Sequence, residues 1–194
     1  MRTKPIPLFL FIAALLAVAS AAFANEPDTC APAGSPFVGP TPPYDYIANG
    51  LPSSDSCWAK SNVYFVSAYD ACNSYRNFWD FGTGNSNFHQ TFYISSTDNV
   101  KNFKLMYLLD AIDPGSNSAL TNFRSDVYDL TTGAWLGGDW WSYYNGALSC
   151  AQRTIYCTAS SSLAGHQIKV IFTGNRASGA TLNVKFISLL ADGY

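Results

Sequence analysis

The amino-acid sequence predicts an all-β protein, an antiparallel β-sandwich of jelly-roll type with a Pro-rich N-terminal strap. Short segments in which apolar and polar residues alternate recur along the chain, and turn-forming residues bound each of them. Apolar residues at helical spacing continue for no more than about two turns. Charged residues make up only 12% of the chain and Glu26 is its single glutamate, so long surface helices lack the residues that they favour.

The N-terminal segment, residues 1–24, predicts a signal peptide. Arg2 and Lys4 give it a positive start, an apolar segment follows, and Ala22 and Ala24 match a signal-peptidase site. The apolar segment is shorter than the roughly 20 residues that cross a bilayer, which argues against the alternative of an uncleaved anchor. We expect cleavage near Ala24, a secreted or periplasmic protein, and no membrane span in its mature form.

The remaining chain divides into a strap and one domain. Residues 25–56 are rich in Pro, Gly and Ser, a composition that favours extended backbone with few hydrogen bonds. They predict an N-terminal strap. Residues 57–194 are expected to form the sandwich, and they suffice for a single domain with a sizeable core.

The candidate strands follow in order along this domain. Alternating apolar residues predict strands at 62–68, 88–95, 103–109, 123–130, 134–136, 166–173 and 181–190. Gly133 predicts a tight turn within the strand pair at 123–136, and Gly174 and Gly179 predict that the last two strands form a hairpin. The inward-facing positions predict a core of Phe92, Leu105, Tyr107, Val127, Ile168, Val170, Phe172, Val184 and Phe186.

The five cysteines predict disulfides, because an exported protein matures in an oxidising environment. The short gap between Cys150 and Cys157 makes them the first predicted pair. A second disulfide would use two of Cys30, Cys57 and Cys72, and the spacing leaves all three pairings open. No two cysteines have the close spacing of a zinc site and the chain has only 2 histidines, so we expect no metal centre of this kind.

Composition and motifs disfavour several functions. A net charge of −2 does not suit a nucleic-acid partner. The chain lacks the G-x-S-x-G and H-E-x-x-H motifs, and its histidines, His89 and His166, are isolated in the sequence. Asp110, Asp113 or Asp192 could hold calcium, but no D-x-D-x-D loop is present. We therefore expect no cofactor.

Residues 135–146 are the densest candidate for a binding site. Their three glycines predict a loop, and two consecutive tryptophans cannot both face the core from one strand. Aromatic faces stack on the C–H face of a sugar while polar neighbours bind its hydroxyls; the alternative is that the rings cap the core. The predicted ligand-binding residues are Trp135, Asp139, Trp140, Trp141, Tyr143, Tyr144 and Asn145. A second aromatic segment, residues 75–81, could form a wall of the same cleft or join the core.

Five of these segments also carry a resemblance to a known family. They are residues 88–94, 103–109, 126–133, 165–172 and 184–189. Their order resembles the galactose-binding-like and carbohydrate-binding jelly-roll modules of secreted proteins. The resemblance implies a non-catalytic β-sandwich that binds glycans through loops at one end, commonly with a structural calcium ion. We therefore expect a secreted binding module whose partner is a glycan or a cell-surface protein.

Two other functions stay open at this point. A small secreted hydrolase would need two converging carboxylates, with Asp110 or Asp139 as the candidates. A structural or adhesive envelope protein would need no small ligand. Exposed aromatic rings in a groove would favour the binding module over both.

The signal peptide leads to a first testable prediction. When the full chain is expressed in a secreting host, the intact mass of the exported protein should correspond to residues 25–194. An Ala24→Arg variant, which puts a bulky charge at the cleavage site, should be processed more slowly. Recovery of the wild-type chain with its first 24 residues still attached would contradict the assignment.

Overall fold

A computed structural model describes residues 45–47, 57–69, 75–113, 121–142 and 147–191 of the chain. Its strands are β1 (Ala59–Ser61), β2 (Val63–Tyr69), β3 (Tyr75–Phe81), β4 (Gly84–Tyr93), β5 (Asn102–Asp113), β6 (Asn122–Asp129), β7 (Ala134–Ser142), β8 (Leu148–Thr158), β9 (Gln167–Arg176) and β10 (Thr181–Ala191). The expected signal peptide and all of the expected strap except residues 45–47 lie outside these ranges. Within the described part of the chain, no helix has the length and hydropathy of a membrane span.

The strands form two five-stranded sheets packed face to face. We call the sheet with the order β1-β4-β9-β6-β7 the front sheet, and the sheet with the order β2-β3-β10-β5-β8 the back sheet. Neighbouring strands in both sheets are antiparallel. The predicted antiparallel β-sandwich is thus confirmed. The tight turn between β6 and β7 is also confirmed, with Gly133 at a φ of 75°.

The aromatic core joins the two sheets. Phe88 of β4 stacks on Phe172 of β9 with ring centroids 4.9 Å apart, and Trp79 of the back sheet stacks on Phe88 at 5.2 Å. Tyr107 of β5 meets Phe172 edge to face at 5.2 Å. Each such pair adds about 0.5–1.5 kcal/mol beyond the area that it buries, so this cluster holds the front sheet against the back sheet. Buried as predicted are Phe92, Leu105, Tyr107, Val127, Ile168, Val170, Phe172 and Val184.

Phe186 is the predicted core residue that does not lie in the core. The pairing of β10 with β5 shifts register between Lys185 and Ser188, and Phe186 has a φ of 53°. The extra residue of this bulge shifts the alternation of inward and outward side chains along β10 by one position. Ile187 is buried in place of Phe186, whose ring is only partly covered.

The predicted hairpin between the last two strands is wrong. β9 belongs to the front sheet and β10 to the back sheet, so the chain crosses from one sheet to the other between them. Packing is tight where β9 leaves its sheet, because a Cβ at Gly174 would lie 2.5 Å from Cδ2 of Leu182 and 2.7 Å from Cδ1 of Phe81. The two strands bury the same alternate positions whether they form a hairpin or lie in opposite sheets. The alternation of apolar residues therefore does not distinguish the two arrangements.

The sequence pattern does not predict β1, β3 or β8. β1 has only three residues, too few for a periodic signal. β8 pairs with the rest of the back sheet along one edge only, and its inward side mixes half-buried Ala151, Arg153 and Ile155 with buried Cys157. An edge strand with this mixture shows little alternation of apolar and polar residues.

The predicted disulfide between Cys150 and Cys157 is also wrong. Cys157 is a free, buried thiol. Both cysteines lie on β8, where seven residues at about 3.3 Å each hold them roughly 23 Å apart. Cys57 and Cys150 each form a disulfide bond. Cys30 and Cys72 lie outside the described residues, so the pairing of the second predicted disulfide stays open. Burial, helped by the nearby charge of Asp126, raises the pKa of the Cys157 thiol to about 12.

Residues 45–47, which lie within the expected strap, contact the sandwich. The backbone N–H of Tyr46 donates to the carbonyl of Leu189 at 2.9 Å. The Tyr46 ring stacks on Phe92 with centroids 5.3 Å apart. The carboxylate of Asp45 accepts the N–H of Leu189 at 3.0 Å and the hydroxyl of Ser188. These contacts fix the segment against β10.

Asp129 organises the turn between β6 and β7. Its buried carboxylate accepts the Thr131 N–H at 3.0 Å and the Thr132 hydroxyl, and it lies 2.9 Å from Nδ1 of His166. Burial alone would raise the pKa of Asp129, but the hydrogen bonds from Thr132, His166 and the Thr131 N–H together bring it below its ordinary value. The carboxylate therefore stabilises the folded turn in its charged form.

An Asp129→Asn variant should lose more stability at neutral pH than in acid. A lowered pKa in the folded state gives a contribution that is complete above the ordinary pKa of 3.8 and is lost as the pH falls below it. Urea unfolding of wild type and variant at about pH 7 and about pH 3 measures this difference. An equal loss at both pH values would contradict it.

Asp80→Asn provides a control with the opposite trend. Burial raises the pKa of Asp80, although Arg176 at 2.9 Å acts to lower it. A raised pKa means that the wild type gains stability relative to Asp80→Asn as the pH falls through the carboxyl's titration. The two variants should thus diverge in their response to acid.

Candidate functional site

The candidate site lies on the outward side of β6 and β7 in the front sheet. Residues 134–142 form a strand and not the predicted loop. Of the two consecutive tryptophans, Trp140 is 61% exposed while Trp141 is only 4% exposed, so the expectation that one ring reaches the surface is confirmed. Trp135 is 55% exposed. The strand thus presents two indole rings to solvent.

A bulge in β7 brings these two rings onto one face. Trp135 pairs with Tyr128, but Gly137 pairs with the next residue, Val127, so Leu136 is the extra residue. Five positions apart on a regular strand, Trp135 and Trp140 would face opposite sides. The extra residue shifts the alternation of inward and outward side chains along β7 by one position, so both rings face outward.

Gly138 leaves a gap between the two rings. It is the residue of β7 that pairs with Asp126, and it lines the cleft between Trp135 and Trp140. A Cβ at this position would lie 2.4 Å from the carbonyl oxygen of Ser125 and 2.6 Å from Oδ1 of Asp126. The open cleft has a volume of about 400 Å³ and is lined by Arg124, Asp126, Trp135, Gly138, Asp139 and Trp140.

The floor of the cleft is a hydrogen-bonded cluster around Asp126. Its Oδ2 accepts the Nε–H of Arg124 and its Oδ1 accepts an Nη2–H of Arg124, both at 2.8 Å. The indole N–H of Trp135 donates to the same Oδ1 at 2.8 Å. Bidentate pairs of this kind have a fixed geometry, so the guanidinium and the indole are oriented together.

Asp139 connects the cleft to the back sheet. Its Oδ2 accepts the Nε–H of Arg153 at 2.7 Å and lies 3.3 Å from the hydroxyl of Tyr107, which also accepts the Ser125 hydroxyl at 3.0 Å. Its Oδ1 accepts the backbone N–H of Trp140 at 2.9 Å. Burial raises the pKa of Tyr107, so this phenol stays protonated as a donor.

The remaining predicted site residues divide into two groups. Trp141 faces the core and cannot reach a ligand on the outer face; its indole N–H has no partner among the described residues. Tyr143, Tyr144 and Asn145 lie outside the described residues, and their role stays a prediction. Arg124, Asp126 and Gly138 were not predicted as site residues. An Arg-x-Asp pair shares one face of a strand, but only the register with β7 shows that it lies under a tryptophan.

The second aromatic segment does not form a wall of this cleft. Residues 75–81 are β3, which lies in the back sheet, and Trp79 is buried in the core. Asp80 pairs with Arg176 across the sandwich at 2.9 Å. His166 likewise has a structural position beside Asp129.

The described residues contain no cluster of three or more His, Cys, Asp or Glu side chains that could hold a metal ion. The side chains of Asp110 and Asp113, and the whole of Asp192, lie outside the described part of the chain. Calcium binding by these residues stays a prediction.

Comparison with known proteins identifies the fold. No family model matches the sequence, and no curated protein matches it. The carbohydrate-binding module TmCBM61, solved in complex with β-1,4-galactotriose, is similar with a TM-score of 0.57 and 11% identity, over 76% of this chain and 99% of that chain. The Stig cyclase Fisc from Fischerella sp. TAU, in complex with (3Z)-3-(1-methyl-2-pyrrolidinylidene)-3H-indole, has a TM-score of 0.52 and 15% identity, over 75% and 96% of the chains. The resemblance to the β-sandwich of carbohydrate-binding modules is thus confirmed at the level of fold.

The contact of Asp139 with the back sheet predicts a measurable coupling. Asp139→Ala should lower the free energy of unfolding by about 1–3 kcal/mol, because it leaves the buried Tyr107 hydroxyl and the Arg153 guanidinium with fewer partners. In a double-mutant cycle with Arg153→Ala, the two losses should be non-additive by about 0.5 kcal/mol or more. Tyr64→Ala, an exposed residue of β2, provides the additive control. Additivity of Asp139→Ala with Arg153→Ala would contradict the coupling.

Proposed function

We propose that this protein is a secreted, non-catalytic module that binds carbohydrate in the cleft of β6 and β7. The observation that carries the proposal is the pair of exposed rings, Trp135 and Trp140, on either side of Gly138. The fold of the carbohydrate-binding module TmCBM61 supports it, and so does the signal-peptide pattern of residues 1–24.

The two rings offer what a sugar needs from a binding surface. A pyranose presents an apolar C–H face, which packs on a flat aromatic ring, and hydroxyls around its rim, which need polar partners. Trp135 and Trp140 supply the rings, and Arg124 and Asp139 supply polar groups between and below them. Because the rings stand on a strand, a saccharide would find them already in position, which lowers the entropy lost on binding.

The distance between the rings suits an oligosaccharide. Their partners on β6, Tyr128 and Arg124, are four residues apart, which places the two ends of the cleft about 13 Å from each other along the strand. A monosaccharide on one ring would leave the other uncovered. We therefore expect affinity to increase with the number of sugar units until both rings are covered.

The carboxylates of the cleft favour binding over hydrolysis. A glycosidase needs one carboxylic acid to protonate the leaving oxygen and a second carboxylate across the bond. Asp126 is held by a bidentate contact with Arg124, and Asp139 is held by Arg153. Both oxygens of each group thus accept hydrogen bonds within the protein, an arrangement that suits a rigid binding surface.

Trp135→Ala and Trp140→Ala should each weaken binding of an oligosaccharide by at least about tenfold, or about 1.4 kcal/mol. A glycan array that includes β-1,4-galactotriose identifies the ligand, and calorimetric titration then measures its affinity. Both side chains are exposed, so their removal should leave the fold intact. Trp140→Ala should leave the unfolding temperature unchanged, whereas Trp135→Ala also removes a hydrogen bond to the buried carboxylate of Asp126 and should cost about 1–3 kcal/mol of stability.

Tyr64→Ala is the matched control. Tyr64 is also exposed, at 57%, but lies on the back sheet, so its loss should not change the affinity. The proposal fails if wild type binds no glycan on the array, or if the tryptophan variants bind as well as Tyr64→Ala. New reducing ends on incubation of wild type with its glycan would instead identify a hydrolase.

A further inference from the structure

The buried carboxylate of Asp126 holds both groups that a ligand in the cleft would meet first. It lies beneath the outer face of the front sheet, 4% exposed, and accepts three hydrogen bonds at 2.8 Å, two from Arg124 and one from Trp135. We propose that Asp126 is the positioning residue of the carbohydrate site and that, with Arg124, it selects an uncharged sugar. This inference rests on the proposed function.

Asp126 fixes the orientation of the Trp135 ring. An indole that is half exposed on a strand can adopt several rotamers, and a single one is held when its N–H bonds to a buried acceptor. Because the N–H of Trp135 is used inside the protein, the ring offers a ligand its face and no donor. A C–H face of a sugar fits this surface, whereas a group that needs a donor from the ring does not.

Arg124 supplies the donors that Trp135 does not. A guanidinium has five N–H groups, and two of those in Arg124 bind Asp126. Its side chain is 51% exposed and lines the cleft, so its other N–H groups are accessible to a ligand. The partner must be an acceptor, such as a ring or hydroxyl oxygen at the edge of the sugar that covers Trp135.

The charges of the cleft cancel in pairs. Arg124 is paired with Asp126 and Arg153 with Asp139, so these four groups add no net charge. A sugar acid would gain little Coulomb energy from a guanidinium that is already neutralised and would lie near two carboxylates. A neutral oligosaccharide avoids this repulsion and still accepts hydrogen bonds from Arg124.

Gly138 keeps Asp126 in place. A Cβ at Gly138 would lie 2.6 Å from Oδ1 of Asp126, the same oxygen that accepts the indole N–H. A methyl group there would therefore displace the carboxylate from its position under Trp135. The same methyl group would lie 2.4 Å from the backbone carbonyl oxygen of Ser125, so Gly138→Ala also strains the pairing of β6 with β7. It disturbs the cluster without changing any of its polar groups.

The orientation of Trp135 can be measured without any ligand. The chain has 5 tryptophans, which give five indole N–H resonances in a ¹⁵N-labelled sample, and Trp135→Phe identifies the one that belongs to Trp135. Asp126→Asn should move this resonance, because the charged acceptor of the indole N–H is lost. Gly138→Ala should move it as well. Asp129→Asn, which changes another buried carboxylate of β6 outside the cleft, should leave it in place.

Binding is then measured with the neutral oligosaccharide found for wild type and with its uronic-acid counterpart. Asp126→Asn should weaken binding of the neutral sugar about tenfold, because the charged acceptor that orients Trp135 and Arg124 is lost. Asp129→Asn should leave the affinity unchanged. Wild type should prefer the neutral sugar, and this preference should shrink in Asp126→Asn, where Arg124 keeps an unbalanced charge.

The outcomes separate this inference from the proposed function. If wild type binds no glycan, the proposed function fails, and the position of the Trp135 resonance alone decides whether Asp126 orients the ring. If wild type binds a glycan and Asp126→Asn leaves both the resonance and the affinity unchanged, the positioning role is overturned while the function stands. A wild-type preference for the uronic acid would overturn the selection of uncharged sugars.

Discussion

The cleft depends on one irregularity, the β-bulge at Leu136 in β7. It places Trp135 and Trp140 on the same outward face, and it turns Gly137 toward the interior. There, a Cβ would lie 2.8 Å from Sγ of Cys157 and 3.1 Å from the carbonyl oxygen of Tyr156. Two neighbouring glycines thus have different tasks: Gly137 lets β7 approach β8 of the opposite sheet, and Gly138 keeps the outer surface open between the rings.

This approach also connects the candidate site to the rest of the sandwich. With β7 close to β8, Asp139 reaches Arg153 and Tyr107 of the back sheet while its other oxygen holds the backbone of Trp140. A half-exposed ion pair alone contributes little stability. Its value here is positional, because residues carried by paired strands are held more precisely than residues on a loop.

The fold leaves the function undecided. This sandwich is similar both to a carbohydrate-binding module solved with a galactotriose and to a cyclase solved with an indole compound, so a fold of this kind does not specify its ligand. The choice between them must come from the residues that the sheets carry. Here these are two exposed indoles, a neutralised arginine–aspartate pair below them, and a glycine that keeps the space between them free.

The sequence predicts this site only in part. Trp135, Trp140 and Asp139 stand out as an aromatic and polar segment, but their glycines indicated a loop where the structure has a strand with a bulge. A bulge depends on the pairing of two strands, which a local pattern does not contain. For the same reason, the sequence does not show that Arg124 and Asp126 lie beside Trp135.

The sequence by itself determined the class of the fold, most of the strands and eight of the nine core residues that it predicts, because burial on one face of a strand requires alternation along the chain. Apart from the pair of β6 and β7, which the turn at Gly133 predicts, only the tertiary structure decided which strands are neighbours. It placed β9 and β10 in opposite sheets, kept Cys150 and Cys157 at separate places on β8, and moved Phe186 out of the core. Register and sheet membership follow from contacts between distant segments, and those contacts are what turn an aromatic stretch of sequence into a cleft.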